Sequence, residues 1–239
     1  MIPLKTRCML LIAVCLLLAG CAGTGRDNIH GNAAIDWVDF VMLDGHFYSV
    51  LYNAVPANPE DVTDKAIGKT EFMLFGVVTN PGYKIQNGDA ALLPVGTKLY
   101  PIKGFEPAQL IAVRDPEKAG GYRLYAGEEP SQLPQLHYGG IAKDKVERIE
   151  LYRSQDTKPL RTLQGAEKEQ FIRLLEIGQD VERYTPQNKG QDPVAYQMVF
   201  YTGGPLAFSF PLQDDGERVY FFPQTTRLVD ASIRALLQP

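Results

Sequence analysis

Beyond residue 21 the chain contains no cysteine, its three thiols being Cys8, Cys15 and Cys21. Residues 22–239 therefore form no disulfide, offer no thiolate nucleophile and give zinc no sulfur ligand. Histidine is as scarce, with only His30, His46 and His137. No Gly-x-Ser-x-Gly elbow, His-Glu-x-x-His helix or Gly-x-x-x-x-Gly-Lys loop occurs, so the sequence motifs of serine hydrolases, zincins and P-loop proteins are missing. Positive charge is short as well: 24 Lys and Arg stand against 28 Asp and Glu, a net charge of −4. No basic run is present that could neutralise successive phosphates, which makes nucleic acid a poor partner. Long apolar runs are missing too. The uninterrupted stretch from Cys8 to Ala19 has 12 residues, whereas a helix crossing a bilayer core needs about 20.

That short run has a definite context. Lys5 and Arg7 precede it, small residues follow it, and Leu18-Ala19-Gly20-Cys21 closes it, the layout of a secretory signal. The segment resembles the lipobox of a bacterial lipoprotein precursor. The resemblance implies a signal peptide over 1–20, cleavage before Cys21, a diacylglyceryl group on its sulfur and an acyl group such as palmitate on the new amino terminus. It also implies a protein held by lipid at the extracytoplasmic face of a cell membrane. Two acyl chains hold a protein stably where one does so marginally. Loss of residues 1–20 removes two bases and no acid, leaving 22 basic against 28 acidic residues.

Residues 21–33 are glycine-rich and polar, with Ile29 the one sizeable apolar residue, and read as a flexible tether. The remainder divides at 130–140, where Pro130, Pro134 and Gly139-Gly140 punctuate the chain. Over 34–129 short apolar and aromatic runs alternate with turn residues: 35–43 and 47–52 around Asp44-Gly45, then 72–78, 92–100, 110–114 and 122–125. This spacing predicts a small β-barrel or sandwich of about six strands, with a short helix over 60–67. Over 141–239 the pattern predicts strands at 146–153 and 160–163 and an amphipathic helix from 167 to about 182. Strands at 194–201, 206–212 and 218–222 and a terminal helix over 230–237 follow. The expected order ββαβββα is that of an α+β domain, an antiparallel sheet with helices on one face. The runs 93–100 and 146–153 are similar to two-part lipoproteins of Gram-positive spore formers, a resemblance that supports an envelope location and transfers no functional residue.

Few residues invite a chemical role. Asp44, His46 and Ser49 are close in sequence but share one hairpin, whereas triad members converge from separate elements. Asp36 and Asp39, which flank Trp37, and the pair Asp214-Asp215 before Gly216 could be imagined around a hard cation, but neither has a calcium-loop pattern. Glu128 with Glu129, or Glu147 with Glu150, would serve sugar cleavage only at the right separation in space. No catalytic residue, metal ligand or cofactor is assigned. The aromatic residues offer the better clue: 12 Tyr, 11 Phe and one Trp, several in polar surroundings, such as Tyr83, Tyr138, Tyr184 and Tyr201. Such side chains make contact surfaces at small entropic cost. The expectation is a lipid-anchored envelope protein that acts as a binding, adaptor or assembly module, its partner an envelope protein or glycan. The alternatives are a cell-surface hydrolase of wall polymer and an inhibitor or immunity protein.

Overall fold

The computed structural model describes residues 35–128, 133–153, 156–187 and 190–238. The signal segment, Leu18, Ala19, Gly20, Cys21 and the tether with His30 lie outside the described residues. Asp44 and Gly45, both at positive φ (50° and 80°), make a tight turn of the primed kind that matches strand twist. The turn joins β1 (Phe40–Leu43) to β2 (His46–Leu51). Then β3 (Ala54–Pro56) departs, and β4 (Gly68–Lys69), β5 (Phe72–Met73), β6 (Asp89–Ala90), β7 (Lys98–Pro101), β8 (Leu110–Arg114) and β9 (Tyr122–Gly127) complete a sheet of order β4-β7-β8-β9-β2-β1-β6-β5. Its two edge strands are consecutive in the chain. Along 67–74, Ile67 and Thr70 donate to carbonyls of Leu99 and Thr97, then Glu71 and Leu74 donate to those of Gly88 and Ala90. One run of backbone thus bonds to both edges, and the sheet closes on itself.

Strand β8 shows why its sequence does not alternate with polar residues. Ile111 and Val113 join Val41, Leu43, Tyr48, Leu99 and Tyr125 in one core, while Leu110 and Ala112 join Tyr100, Ile102, Leu124 and, from the second half of the chain, Leu206. Both faces are covered, so both are apolar. Gly127 closes the sheet at β9, where a Cβ would collide with the carbonyl of Ala108.

The second half departs from the α+β expectation. Among the described residues it holds seven strands and one α-helix: β10 (Arg148–Arg153), β11 (Arg161–Leu163), α1 (Gly165–Glu176), β12 (Gln179–Val181), β13 (Val194–Tyr201), β14 (Leu206–Asp214), β15 (Val219–Phe221) and β16 (Thr226–Val229). The antiparallel sheet runs β11-β10-β13-β14-β15-β16-β12, and β3 adds beside β14 as an eighth strand. The fold is therefore mostly β, two sheets of eight strands each, and not a sheet layered with helices. The physical reasons are local. Residues 179–181 and 226–229 are too short and polar to show a period, yet they pair with each other. The helix stops at Glu176, and Gly178 just beyond it lies against Leu228, where a Cβ would stand 2.8 Å from the carbonyl oxygen. The expected terminal helix is a 3-10 turn, Ala231–Leu236, capped by Asp230 accepting from Ser232 N, and the segment expected as a helix at 60–67 shrinks to Pro59–Asp61.

The strand β3 links the halves. Leu206, Ala207 and Phe208 pair with Pro56, Val55 and Ala54, and Ser209 N donates to Asn53 O at 3.0 Å. One face of the second sheet packs on Phe171, Leu174 and Leu175 of α1 and on Ile233. Its opposite face, with Tyr152, Val199, Tyr201 and Ala207, meets Val55 and Ala119 from the first half.

Candidate functional site

The two halves leave a cleft of about 440 Å³ between them. Alternation along the strands fixes what faces it: Tyr152 of β10, Ala195 and Gln197 of β13 and Ser209 and Pro211 of β14 come from one face of the second sheet. Val50 to Tyr52, Ala54, Val55, Tyr122 and Arg123 come from the first half. Glu117, Lys118, Arg153 and Asp156, all exposed, frame the mouth. Tyr52 stands beside them with 71% of its surface exposed.

The charged groups beneath the lining are locked. Arg123 donates through Nε and Nη2 to Asp115 at 3.0 and 2.7 Å and through Nη1 to the buried Asp39 at 3.1 Å. Asp39 also accepts from the Tyr125 hydroxyl at 3.0 Å. On the facing sheet, Glu150 accepts from the hydroxyls of Tyr152 (2.6 Å) and Tyr201 (2.7 Å) and from Arg148 Nε (3.0 Å), and the Arg148 guanidinium lies 3.6 Å from the Tyr201 ring centre. Burial resists ionisation of Glu150, but these three donors outweigh it and hold the carboxyl below its usual range. Burial and donation to Glu150 push the Tyr201 phenol up to about 12. The remaining polar pair, Gln197 Nε2 to Ser209 Oγ at 2.7 Å, gives the serine an amide neighbour and no base. Among the described residues of the lining, Ser209 has no base beside it, and the walls present aromatic, amide and charged groups.

A second hollow of about 380 Å³ lies at the far side, lined by Tyr138, Lys143, Glu176, Asp180 and Arg227 among others. Its charges are also paired: Arg227 forms a bidentate bond with Asp180 (2.7 and 2.9 Å), and Tyr138 donates to Glu176 at 2.7 Å. Burial lowers the Lys143 ammonium, which lies 3.9 Å from the Tyr138 ring centre and donates to Tyr138 O at 2.7 Å.

The residues singled out in sequence are scattered. His46 and Ser49 sit three apart on β2, hence on opposite faces, and Asp44 occupies the turn before them. His137 is exposed, 3.2 Å from Gln135. Asp39 serves the Arg123 network while Asp36 is exposed, and Asp214 makes a bidentate pair with Arg234 (2.8 Å to each oxygen) as Asp215 accepts from Tyr184. No group of three or more metal-binding side chains occurs among the described residues. Glu147 Oε1 lies against Gly203, apart from the donors that surround Glu150, and Glu128 is exposed beside Glu129, which is outside the described residues. The tyrosines expected as contact surfaces are otherwise employed: Tyr138 and Tyr201 are buried, and the phenols of Tyr83, Tyr138, Tyr184 and Tyr201 each donate to a carboxylate. The exposed aromatics are instead Tyr52, Phe75 and Phe222.

Sequence reasoning missed Tyr52, Arg123, Tyr152, Gln197 and Ser209. Part of a signal was there, since Arg148, Glu150 and Tyr152 alternate with apolar residues on one strand and therefore share a face. Arg123 meets Asp39 across 84 positions, which no local pattern reveals. No described helix is long and apolar enough to cross a membrane. No family model, curated protein or solved structure matches the chain.

Proposed function

We propose that this chain is a lipid-anchored protein of the bacterial envelope whose body binds a partner protein or glycan in the cleft between its sheets. The observation that carries the reading is the cleft: both halves converge on it, its wall offers Tyr52, Tyr122, Tyr152 and Gln197, and its inner carboxylates are neutralised by phenols and guanidinium groups. Concave surfaces with aromatic walls and a few placed polar groups are the usual form of ligand sites. The hydrolase alternative needs a protonated carboxyl acid facing a second carboxylate, and Glu150, held ionised by three donors, does not supply it.

The test is affinity capture of the full-length chain from detergent-solubilised envelopes, beside a Tyr52→Ala/Arg153→Ala variant. Both side chains are exposed, so the variant keeps its fold. A stoichiometric partner retained by the parent chain and lost by the variant supports the reading. Equal retention by both, or an empty capture, overturns it.

A further inference from the structure

We propose that the end of the closed sheet formed by residues 74–77 and 92–95 is a lipid-contacting surface that seats the body on the bilayer holding its own anchor. This rests on the lipid-anchor reading. Backbone pairing brings the parts together: Phe75 N donates to Ala91 O and Ala91 N donates to Phe40 O, both at 3.0 Å. Leu92 thus lies between Phe75 on one side and the Val38-Asp39 segment on the other. Val38 (71%), Phe75 (56%) and Val77 (58%) are exposed there and Val95 on the same connection is 64% exposed, while Leu92 (39%) also lines the rim of the cleft, which this surface adjoins. No charged residue occurs over 72–83 or 90–97, exposed Lys84 and Lys98 follow the two runs directly, and the exposed acids nearby are Glu71 before the first run and Asp36, two positions before Val38.

Two observations select a bilayer as the occupant. The first is where the chain comes from. The described residues begin at Ile35, three positions before Val38, and 13 residues separate it from Cys21. A chain of that length reaches at most about 45–50 Å, so an anchored Cys21 keeps this end of the body near the membrane at high effective concentration. The second is shape. Phe75, Val77 and Val95 sit on turns marked by Gly76 and Gly96 at positive φ (74° and 86°). Apolar side chains carried on turn tips suit insertion at a bilayer interface better than the broad face that a second copy needs. Lysines at the flanks favour anionic headgroups.

The chain carries its own reporter, for Trp37 is the sole tryptophan and packs with Phe40, Phe47, Phe72 and Leu74 beneath this surface. The experiment uses full-length processed protein in vesicles of phosphatidylethanolamine and phosphatidylglycerol, with and without brominated acyl chains. It reads Trp37 emission, vesicle flotation and intact mass together. Brominated lipid is expected to quench Trp37 in the parent chain, and the Phe75→Asp/Val77→Asp variant to lose about threefold or more of that quenching while still floating by its lipid. Phe222→Asp, on the second half, leaves quenching unchanged. Equal quenching in parent and variant, or none in a parent that floats, overturns the proposal. A dimer in detergent that Phe75→Asp dissociates, without quenching in vesicles, replaces it with self-association. An unlipidated mass defeats the anchor reading itself and this proposal with it.

Discussion

Replacing Asp39 by Ala should destabilise the first sheet by about 2–3 kcal/mol. Asp39 is 3% exposed and receives two donors, the Tyr125 hydroxyl and Arg123 Nη1. Removing one partner of a buried ion pair costs roughly 3–5 kcal/mol, because the other charge stays buried without it. Here the loss falls just below that range, since Arg123 keeps both bonds to Asp115 and its side chain is 30% exposed. Tyr125→Phe removes one hydrogen bond and should cost about 1–1.5 kcal/mol. The informative quantity is the coupling. With Asp39 absent the phenol has lost its acceptor, so Tyr125→Phe should cost almost nothing in that background, a coupling of about 1 kcal/mol. Urea unfolding followed by Trp37 emission reports on this region directly, and thermal melts should fall by about 4–12 °C for Asp39→Ala. A loss within about 0.5 kcal/mol of zero for Asp39→Ala, or strict additivity in the cycle, would refute the reasoning.

Other expectations follow from the same structure. Asp215 is held down to about 2: burial opposes its ionisation, but the Tyr184 hydroxyl and the amides of Arg218, Gln187 and Glu217 outweigh it. An unfolded aspartate titrates near about 3.9. Its contribution to stability is therefore complete above that value and disappears as pH falls toward about 2, and thermal melts across this interval should show a shallower acid loss in Asp215→Asn. Gly127→Ala, which drives a Cβ into the Ala108 carbonyl, should cost about 1–3 kcal/mol, measurable by the same urea titration. Cys21→Ser should release the chain from membranes in fractionation, and unchanged sedimentation with membranes would count against lipid attachment. Reductant should leave the melting temperature unchanged, because residues 22–239 contain no cysteine.

Local chemistry was legible in the sequence where it was self-contained. Asp44-Gly45 specifies its hairpin turn through two positive φ angles, the run 110–114 reads as a strand and is one, and the spacing of Phe171, Leu174 and Leu175 marks the buried stripe of α1. What was illegible depended on distant partners. Gln179–Val181 is a strand only because Thr226–Val229 lies beside it, and Ala54–Pro56 is one only because β14 offers an open stretch of edge. Those two additions turn an expected sheet with helices on one face into a fold dominated by strands. Phe72 to Val78 looked like one strand, yet the regular strand ends at Met73 and the chain turns away after Phe75 through Gly76 at φ 74°. The candidate cleft was hidden for the same reason. Its wall joins residue 52 to residue 209, and Tyr201, expected as a contact group, is instead buried with its hydroxyl on Glu150.

Photo-crosslinking in living cells asks whether the cleft between the sheets holds a partner in the envelope, as proposed. A photoreactive residue replaces Tyr52 at the mouth of the cleft, with the same residue at the exposed Glu169 of α1 as control. A discrete adduct formed from position 52 and absent from position 169 is the predicted result. No adduct from either, or the same adduct from both, would contradict the account.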